Sequence, residues 1–212
     1  TGVEKEVFDE SPILNKMITN GWLGAKSGQG FFKKEGKAIL ELNLSTFEYE
    51  PVKKLAAPSL EMAKQARGPG GKLKTLIYAK DRVGELLWNS FAPTLIYSAQ
   101  LTGEIADDIL AIDNAMKWGF GWAQGPFEMW DAIGVEKSVA KMREEGREIP
   151  AFVTAFLEKG LTTFYSEIDG DLAYYNGTEY VKVPVNEKAI DLKRYKKKHG
   201  VIKSNSGASL ID

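Results

Sequence analysis

The stretch AMKWGFGWAQGPFEMWDAIG, from Ala115 to Gly134, has residue types and a spacing that could bind a phosphate. Gly119, Gly121 and Gly125 follow the pattern G-x-G-x-x-x-G, which is close to the G-x-G-x-x-G loop that holds the pyrophosphate of a dinucleotide. That loop follows a buried strand, however, whereas the preceding residues ILAIDNAMKW have the spacing of a helix. The third glycine also comes one residue late. We therefore predict that these glycines form a hinge between two helices rather than a nucleotide loop.

A second glycine cluster, GPGGK from Gly68 to Lys72, fails as a phosphate loop for related reasons. Leu73 follows the lysine at the place where a P-loop has serine or threonine, and no apolar strand precedes the cluster. Because glycine and proline are the strongest turn formers, the segment ARGPGGKLK is predicted to be a turn.

Side chains for acid–base catalysis are scarce in this chain. Its single histidine, His199, lies in a lysine-rich segment, so acid–base chemistry elsewhere would fall to carboxylates, lysine or tyrosine. No pair of carboxylates stands out from ordinary surface charge. There is no cysteine, which excludes disulfides, thiolate nucleophiles and cysteine–zinc sites.

The overall composition is that of a globular domain. The chain is 43% hydrophobic and 11% aromatic, and its 28 basic and 29 acidic residues predict no nucleic-acid partner. The basic run KRYKKKHG, from Lys193 to Gly200, is predicted to be a solvated tail or linker. No apolar run approaches about 18 residues, so no membrane span is expected. The first residues lack both a methionine and the apolar core of a signal peptide, and we expect a piece of a longer protein.

Apolar residues recur at helical spacing, and glycine and proline stand at the ends of these segments, which predicts a chain made mainly of helices. Helices are predicted from Ser11-Pro12 to Gly21, over SLEMAKQA, over about 81–101, over about 106–118 with Gly119 as its end, from Pro126 to Gly134, over 136–145, and from Pro150 to Gly160. Pro93 should kink or split the long helix. Hairpins are predicted in FFKKEGKAILEL around Glu35-Gly36 and in DLAYYNGTEYVKV around Asn176-Gly177.

Aromatic residues are concentrated around the glycine hinge. Five of them are predicted to pack between helices as core: Trp118, Phe120, Trp122, Phe127 and Trp130. An aromatic cluster of this kind is by default involved in packing and only occasionally a shelf for a ligand.

The order of predicted elements repeats along the chain. A proline-initiated helix, a glycine, a loop, an aromatic pair and a hairpin occur once after Pro12 and again after Pro150. We predict a tandem duplication whose first copy is truncated at its front. The predicted segments are the end of a first helical repeat (1–50), a connector (51–80), a complete second repeat (81–185), and a linker tail toward a downstream domain (186–212).

Two motifs resemble the C-terminal helical domains of 3-hydroxyacyl-CoA dehydrogenases. That family carries an I-D-x-A-M-x-x-G-x-G-x-P-x-G-P-F-E-x-x-D-x-x-G pattern, and AIDNAMKWGFGWAQGPFEMWDAIG departs from it at Ala123, where proline is usual. The positions that match are Ile112, Asp113, Ala115, Met116, Gly119, Gly121, Gly125, Pro126, Phe127, Glu128, Asp131 and Gly134. GWLGAKSGQGFFKK resembles the family's closing G-x-x-G-x-K-x-G-x-G-F-Y run. Together the matches cover roughly residues 1–180.

The resemblance implies a mainly α fold of tandem helical domains, of the 6-phosphogluconate dehydrogenase C-terminal-like type with small β-hairpins. It also implies a cytoplasmic parent enzyme that oxidises 3-hydroxyacyl-CoA with NAD in fatty-acid β-oxidation. The family's His–Glu pair and NAD loop belong to a separate nucleotide domain, so this chain is expected to be inactive alone. It would serve as scaffold, acyl-CoA cleft wall and pairing surface for that domain or another subunit.

Further partners and one site residue follow from the same resemblance. In long members an enoyl-CoA hydratase domain can follow the helical repeats, and KKKHGVIKSNSGASLID is similar to a linker and first strand leading into one. A thiolase is a further candidate partner. The family uses an asparagine at the start of the first helical domain, and Asn89 in LLWNSFAP stands at the equivalent point of the second copy, with Ser90 in place of the usual arginine. Asn89 is the single candidate for substrate binding, and a relic or a helix-packing residue is the simpler expectation. No catalytic, cofactor-binding or metal residue is predicted.

Two other functions fit the residues. A free-standing helical interaction module with no metabolic role would explain the missing catalytic side chains and the many aromatic residues. An independent acyl-CoA-binding domain would show measurable affinity in isolation. A dinucleotide fingerprint upstream of this chain would favour the enzyme over the interaction module.

Overall fold

The computed structural model describes residues 11–186, 190 and 192–212, and it divides into two compact units, residues 1–56 and 57–212. Within the described residues, helices carry most of the regular structure and the strands form small antiparallel sheets. The prediction of a mainly α chain with small hairpins is therefore confirmed. The predicted limits of the repeats, connector and tail stay predictions.

The first unit is one helix followed by a small sheet. Its elements are helix α1 (Pro12–Thr19), a 3-10 turn (Ala25–Ser27), and the antiparallel strands β1 (Phe32–Glu35), β2 (Ala38–Leu42) and β3 (Tyr49–Pro51) in the order β1-β2-β3. The helix and the β1–β2 hairpin are as predicted, and β3 is an addition. Met17 and Leu42 are buried, and the Tyr49 hydroxyl donates a hydrogen bond of 2.6 Å to the carbonyl of Gly30.

The second unit contains the main hydrophobic core. Its helices are α2 (Pro58–Gln65), α3 (Gly68–Ile77), α4 (Arg82–Gln100), α5 (Ile109–Phe120), α6 (Pro126–Ile133), α7 (Val135–Glu144), α8 (Ala151–Glu158) and α9 (Leu192–Lys198). Its strands are β4 (Tyr165–Ile168), β5 (Asp171–Tyr175) and β6 (Tyr180–Lys182) in one sheet, and β7 (Val201–Ser204) and β8 (Ser209–Ile211) in another. Helices α6 and α8 and the β5–β6 hairpin confirm the predicted elements.

Helix α3 replaces the turn that was predicted over ARGPGGKLK, so that prediction is wrong. Pro69 lies in the first turn of the helix, where a missing N–H costs no hydrogen bond. Gly70 faces α6 so closely that a Cβ there would lie 2.9 Å from the Cβ of Ala132. Gly70 therefore permits close packing of α3 against α6, which composition alone cannot distinguish from a turn.

Helix α4 runs unbroken through Pro93, so the predicted split does not occur. Asp81 caps the helix by accepting hydrogen bonds from the backbone N–H groups of Val83 and Gly84. The buried face includes Trp88, whereas Leu86 is 65% exposed.

Helix α5 begins and ends two to three residues later than the predicted span of 106–118. Asp108 caps its start by accepting a hydrogen bond from Ala111 N–H, and the other carboxylate oxygen accepts one from the Tyr174 hydroxyl in β5. Gly121 ends the helix with a φ of 68°, a left-handed conformation that favours glycine. Gly119, predicted as the end, lies within the helix.

None of the helices among the described residues is long and apolar enough to cross a membrane. The same residues contain no group of three or more acidic or histidine side chains placed to hold a metal ion.

Candidate functional site

The centre of the family motif is the carboxylate of Asp113, which is fully buried on α5. One oxygen accepts a hydrogen bond from Phe127 N–H at 2.8 Å, and the other accepts bonds from Glu128 N–H at 3.0 Å and the Tyr165 hydroxyl at 2.9 Å. The first two donors are free amides in the first turn of α6, which have no partner inside that helix. Asp113 thus joins α5, the start of α6 and strand β4.

Gly125 is required at this point by the close approach of the chain to Asp113. A Cβ on Gly125 would lie 2.3 Å from both the Cβ and the Cγ of Asp113, and no side chain tolerates such a contact. Glu128 accepts a hydrogen bond from Gly125 N–H at 2.9 Å and pairs with Lys117 at 2.6 Å. The motif's glycine, proline and glutamate therefore build the start of α6 around a buried carboxylate.

Asp131 has a matching role on the next turn of α6. Its two oxygens accept hydrogen bonds from Phe164 N–H at 2.7 Å and Tyr165 N–H at 2.9 Å, at the start of β4. We call Asp113, Glu128, Asp131 and Tyr165 the carboxylate network. It accounts for both aspartates and the glutamate of the motif through bonds within the fold.

Burial is the main cause of the shifted pKa values in the carboxylate network. It raises the pKa of Asp113 to about 6, against the lowering effect of its hydrogen bonds. Burial likewise raises the pKa of Asp131 to about 7, with Asp113 and Glu128 adding a smaller repulsion. It also raises the pKa of the Tyr165 hydroxyl. Carboxyl groups with such pKa values could act as general acids or bases. Asp113, however, is enclosed and its oxygens are bonded within the fold, so we assign the network to structure.

The predicted aromatic core around the hinge is right for two residues and wrong for two. Phe127 and Trp130 are fully buried, and the Trp130 indole N–H donates a hydrogen bond to Ser138 Oγ at 2.7 Å. Trp118 is 81% exposed and Phe120 is 75% exposed. They lie at the end of α5, on a surface that no described residue covers, and Trp122 is partly buried. Hydrophobicity predicted burial, but burial also requires a covering element.

Asn89 lies outside the carboxylate network, exposed on α4 in an open cleft of about 980 Å³. The walls of this Asn89 cleft are α4, with Arg82, Glu85 and Asn89 at successive turns, and α7, with Lys137, Lys141 and the adjoining Glu145. The α3–α4 connection and Trp88 complete its lining. Its volume is in the range of small-molecule sites.

Glu145 organises one wall of the Asn89 cleft. It accepts hydrogen bonds from the Trp88 indole N–H at 2.7 Å, Lys141 Nζ at 2.5 Å and Arg147 Nε at 2.9 Å. Burial by itself raises the pKa of Glu145, but these three donors outweigh it and lower that pKa to about 2. The Lys141 Nζ also lies 4.6 Å from the centre of the Trp88 ring. Glu145 is therefore ionised and fully engaged.

Sequence reasoning missed Tyr165, Trp88 and Glu145. Tyr165 is 52 residues from the carboxylate that it bonds, and Trp88 is 57 residues from Glu145. No local spacing reports such pairs. The sequence gives a signal for one contact of Glu145: Lys141 and Glu145 are four residues apart, so they lie on the same face at the end of α7 and can form an ion pair.

The second unit is mainly α, and the motif from Ile112 to Gly134 supplies three members of the carboxylate network that connects α5, α6 and β4. No family model matches the chain, and no solved structure matches it. Among curated proteins, one from Bacillus subtilis named "Probable 3-hydroxyacyl-CoA dehydrogenase" is 54% identical over 211 residues, which are 100% of this chain and 27% of the relative. The resemblance inferred from the two motifs is therefore confirmed: the whole chain is similar to a segment of this probable 3-hydroxyacyl-CoA dehydrogenase.

More distant relatives agree. Proteins of Rickettsia felis and Rickettsia prowazekii, each named "Putative fatty acid oxidation complex trifunctional enzyme", are 28% and 27% identical over 128 and 127 residues. These matches cover 58% of this chain and 16% of each relative. The chain spans about a quarter of the length of its Bacillus relative and less of the others. The two Rickettsia relatives are thus named for fatty-acid oxidation, and the Bacillus relative is named for 3-hydroxyacyl-CoA dehydrogenase activity.

The close contact at Gly125 predicts a large difference between two glycine substitutions. Gly125→Ala should lower the free energy of unfolding of residues 57–212 by about 3 kcal/mol or more, because the new methyl group displaces Asp113 from its donors. Gly119→Ala is the matched control, since nothing lies within 4 Å of a Cβ there. It should stabilise α5 by about 0.5–1 kcal/mol. Urea denaturation followed by tryptophan fluorescence measures both, and equal effects would refute the close-contact explanation.

The raised pKa values of Asp113 and Asp131 predict that stability falls as pH rises. A carboxyl whose pKa is higher in the folded than in the unfolded chain stabilises the fold at low pH, and this contribution is lost as pH rises through the folded value. With pKa values of about 6 and about 7, the loss falls between pH 4 and pH 8. The free energy of unfolding should be about 2–4 kcal/mol lower at pH 8 than at pH 5.

An asparagine at position 113 tests which group causes this slope. Asp113→Asn should lower stability at pH 5 by about 1–3 kcal/mol, because its amide nitrogen faces hydrogen-bond donors. It should reduce the pH dependence by about a third, because Asp131, with the higher pKa, still contributes the larger part. Asp107→Asn, the same change at an exposed position, should alter neither. An unchanged slope in Asp113→Asn would show that other groups cause it.

Proposed function

We propose that this chain forms the helical portion of an NAD-dependent 3-hydroxyacyl-CoA dehydrogenase of fatty-acid β-oxidation, located in the cytoplasm. The observation that carries the proposal is the 54% identity to the Bacillus relative along the whole chain. The parent protein would take 3-hydroxyacyl-CoA as substrate. NAD would be bound by a nucleotide domain that these residues do not include.

The helical portion is proposed to be a tandem repeat of the 6-phosphogluconate dehydrogenase C-terminal-like type, with its first copy truncated. Each unit supports this by its internal order of elements. Helix α1 precedes the three-stranded antiparallel sheet β1-β2-β3, and helix α8 precedes the three-stranded antiparallel sheet β4-β5-β6. Gly21 and Gly160, just beyond the two helices, have φ values of 71° and 72°.

A scaffold role is supported by the carboxylate network. Asp113 and Asp131 have pKa values suited to proton transfer, yet their oxygens are bonded to backbone and tyrosine groups of the fold. Chemistry in the parent protein would therefore rest on the nucleotide domain, and these residues alone would be inactive.

Two surfaces are proposed for contact with the rest of the parent enzyme. Trp118 and Phe120 give an exposed aromatic surface suited to pairing with another domain, a second subunit or a thiolase. Asn89, exposed in its cleft, is the candidate for contact with acyl-CoA, which would make the cleft one wall of the substrate site.

A free-standing interaction module is the second candidate, and the exposure of Trp118 and Phe120 is the observation that favours it. Such a module would have no affinity for acyl-CoA. A measurement of acyl-CoA binding therefore distinguishes the two proposed functions.

The test is a calorimetric titration of acetoacetyl-CoA into the purified chain. The proposal predicts saturable heat that weakens at least about fivefold in Asn89→Ala, because the exposed amide supplies a hydrogen bond to the acyl group. Ser90→Ala is the control, since the Ser90 hydroxyl is bonded to the backbone carbonyl of Leu86. With 3-hydroxybutyryl-CoA and NAD the chain should form no NADH. Absence of heat would contradict the cleft-wall role and favour the interaction module, and NADH formation would contradict the scaffold role.

A further inference from the structure

The acidic groups of the Asn89 cleft are largely used by the fold. Asp81 accepts hydrogen bonds from the backbone N–H groups of Val83, Gly84 and Ser59 at 3.1–3.2 Å. Glu145 is engaged by the donors of Trp88, Lys141 and Arg147 described above. Glu85 is then the one carboxylate lining this cleft that has no hydrogen bond or ion pair with another described residue.

Three cationic groups of the same cleft remain available. Lys80, Arg82 and Lys137 are exposed, and none forms an ion pair with a carboxylate of the described residues. Lys137 Nζ lies 3.8 Å from the centre of the Tyr78 ring, which positions this charge without neutralising it. Lys80 and Arg82 lie at the start of α4 and Lys137 on α7, so positive charge faces the cleft from two walls.

We propose that the Asn89 cleft binds the phosphate groups of a phosphorylated small molecule. Lys80, Arg82 and Lys137 would contact the phosphate oxygens. The lining has four cations against three carboxylates, because Lys141 adds to Lys80, Arg82 and Lys137, and Asp81 and Glu145 add to Glu85. The three cations that form no ion pair with a described residue lie on two walls, and they are the groups that would contact an anion with several oxygens, such as a pyrophosphate. This inference stands on the geometry of the cleft and does not depend on the proposed function.

Calorimetric titration with inorganic pyrophosphate at low ionic strength is the direct test. We expect saturable binding that weakens as salt is added. A cleft variant, Lys80→Gln with Arg82→Gln and Lys137→Gln, should lose at least about tenfold in affinity. The matched control is Lys72→Gln with Lys74→Gln and Arg143→Gln, because it removes two lysines and one arginine that are exposed elsewhere in the same unit. It should change the affinity less than about twofold.

Glu85→Gln gives an opposite effect and guards against misfolded variants. Removing this free negative charge should tighten pyrophosphate binding by about threefold or more. Absence of saturable heat would overturn the inference. Equal losses in the cleft and control variants, or no gain in Glu85→Gln, would also overturn it, because binding would then report net charge alone.

Parallel titrations with ADP and with coenzyme A separate the sources of the phosphate. Equal affinities for pyrophosphate and ADP would show that the cleft binds phosphate groups alone. Tighter binding of ADP or coenzyme A than of pyrophosphate would show that the nucleoside is also bound. Both results support the inference. Pyrophosphate binding without an effect of Asn89→Ala on acetoacetyl-CoA would uphold the inference while contradicting the cleft-wall role. Absence of pyrophosphate binding, together with weaker acetoacetyl-CoA binding in Asn89→Ala, would support the cleft-wall role and overturn the phosphate inference.

Discussion

A buried carboxylate that must receive hydrogen bonds from the start of a helix is the constraint on which the second unit depends. Taking Asp113 out of water is costly unless its oxygens find donors, and the free amides of α6 together with the Tyr165 hydroxyl supply them. Because the carboxylate and its donors belong to three elements, satisfying one charge fixes α5, α6 and β4 relative to each other. The same requirement explains Gly125, since any larger residue would push the carboxylate away from the amides.

The family motif is thus a folding motif in this chain. Its two aspartates and its glutamate all accept hydrogen bonds from backbone N–H groups, and Gly125 allows the start of α6 to approach Asp113 closely. Groups open to ligands lie in a different place, in the Asn89 cleft, where exposed cations and an exposed amide face solvent. The closed network and the open cleft differ in one physical respect, which is whether the polar groups are already satisfied by the fold.

The sequence predicted those features that depend on neighbours along the chain. Prolines at the starts and glycines at the ends predicted helices α6 and α8, and the Asn176-Gly177 turn predicted a hairpin. The position of Gly125, one residue later than in the dinucleotide-binding pattern, argued against a dinucleotide loop. Features that depend on distant residues were missed. The sequence predicts a turn in place of α3 because the contact of Gly70 with Ala132 does not show in it. It predicts a buried Trp118 because the covering of a helix face depends on distant residues. Asn89 was identified by position, but its cationic surroundings come partly from α7.

The central claim is that the carboxylate network holds α6 and β4 together as one cooperative unit, and native-state hydrogen exchange tests it most directly. The amides of Phe127, Glu128, Phe164 and Tyr165 donate to the two aspartates, so they can exchange only when the network opens. We predict that all four exchange with nearly the same opening free energy, close to that of global unfolding of residues 57–212. Exchange of the first pair or the second pair through a much smaller local opening would contradict the account, because the two aspartates would then act independently.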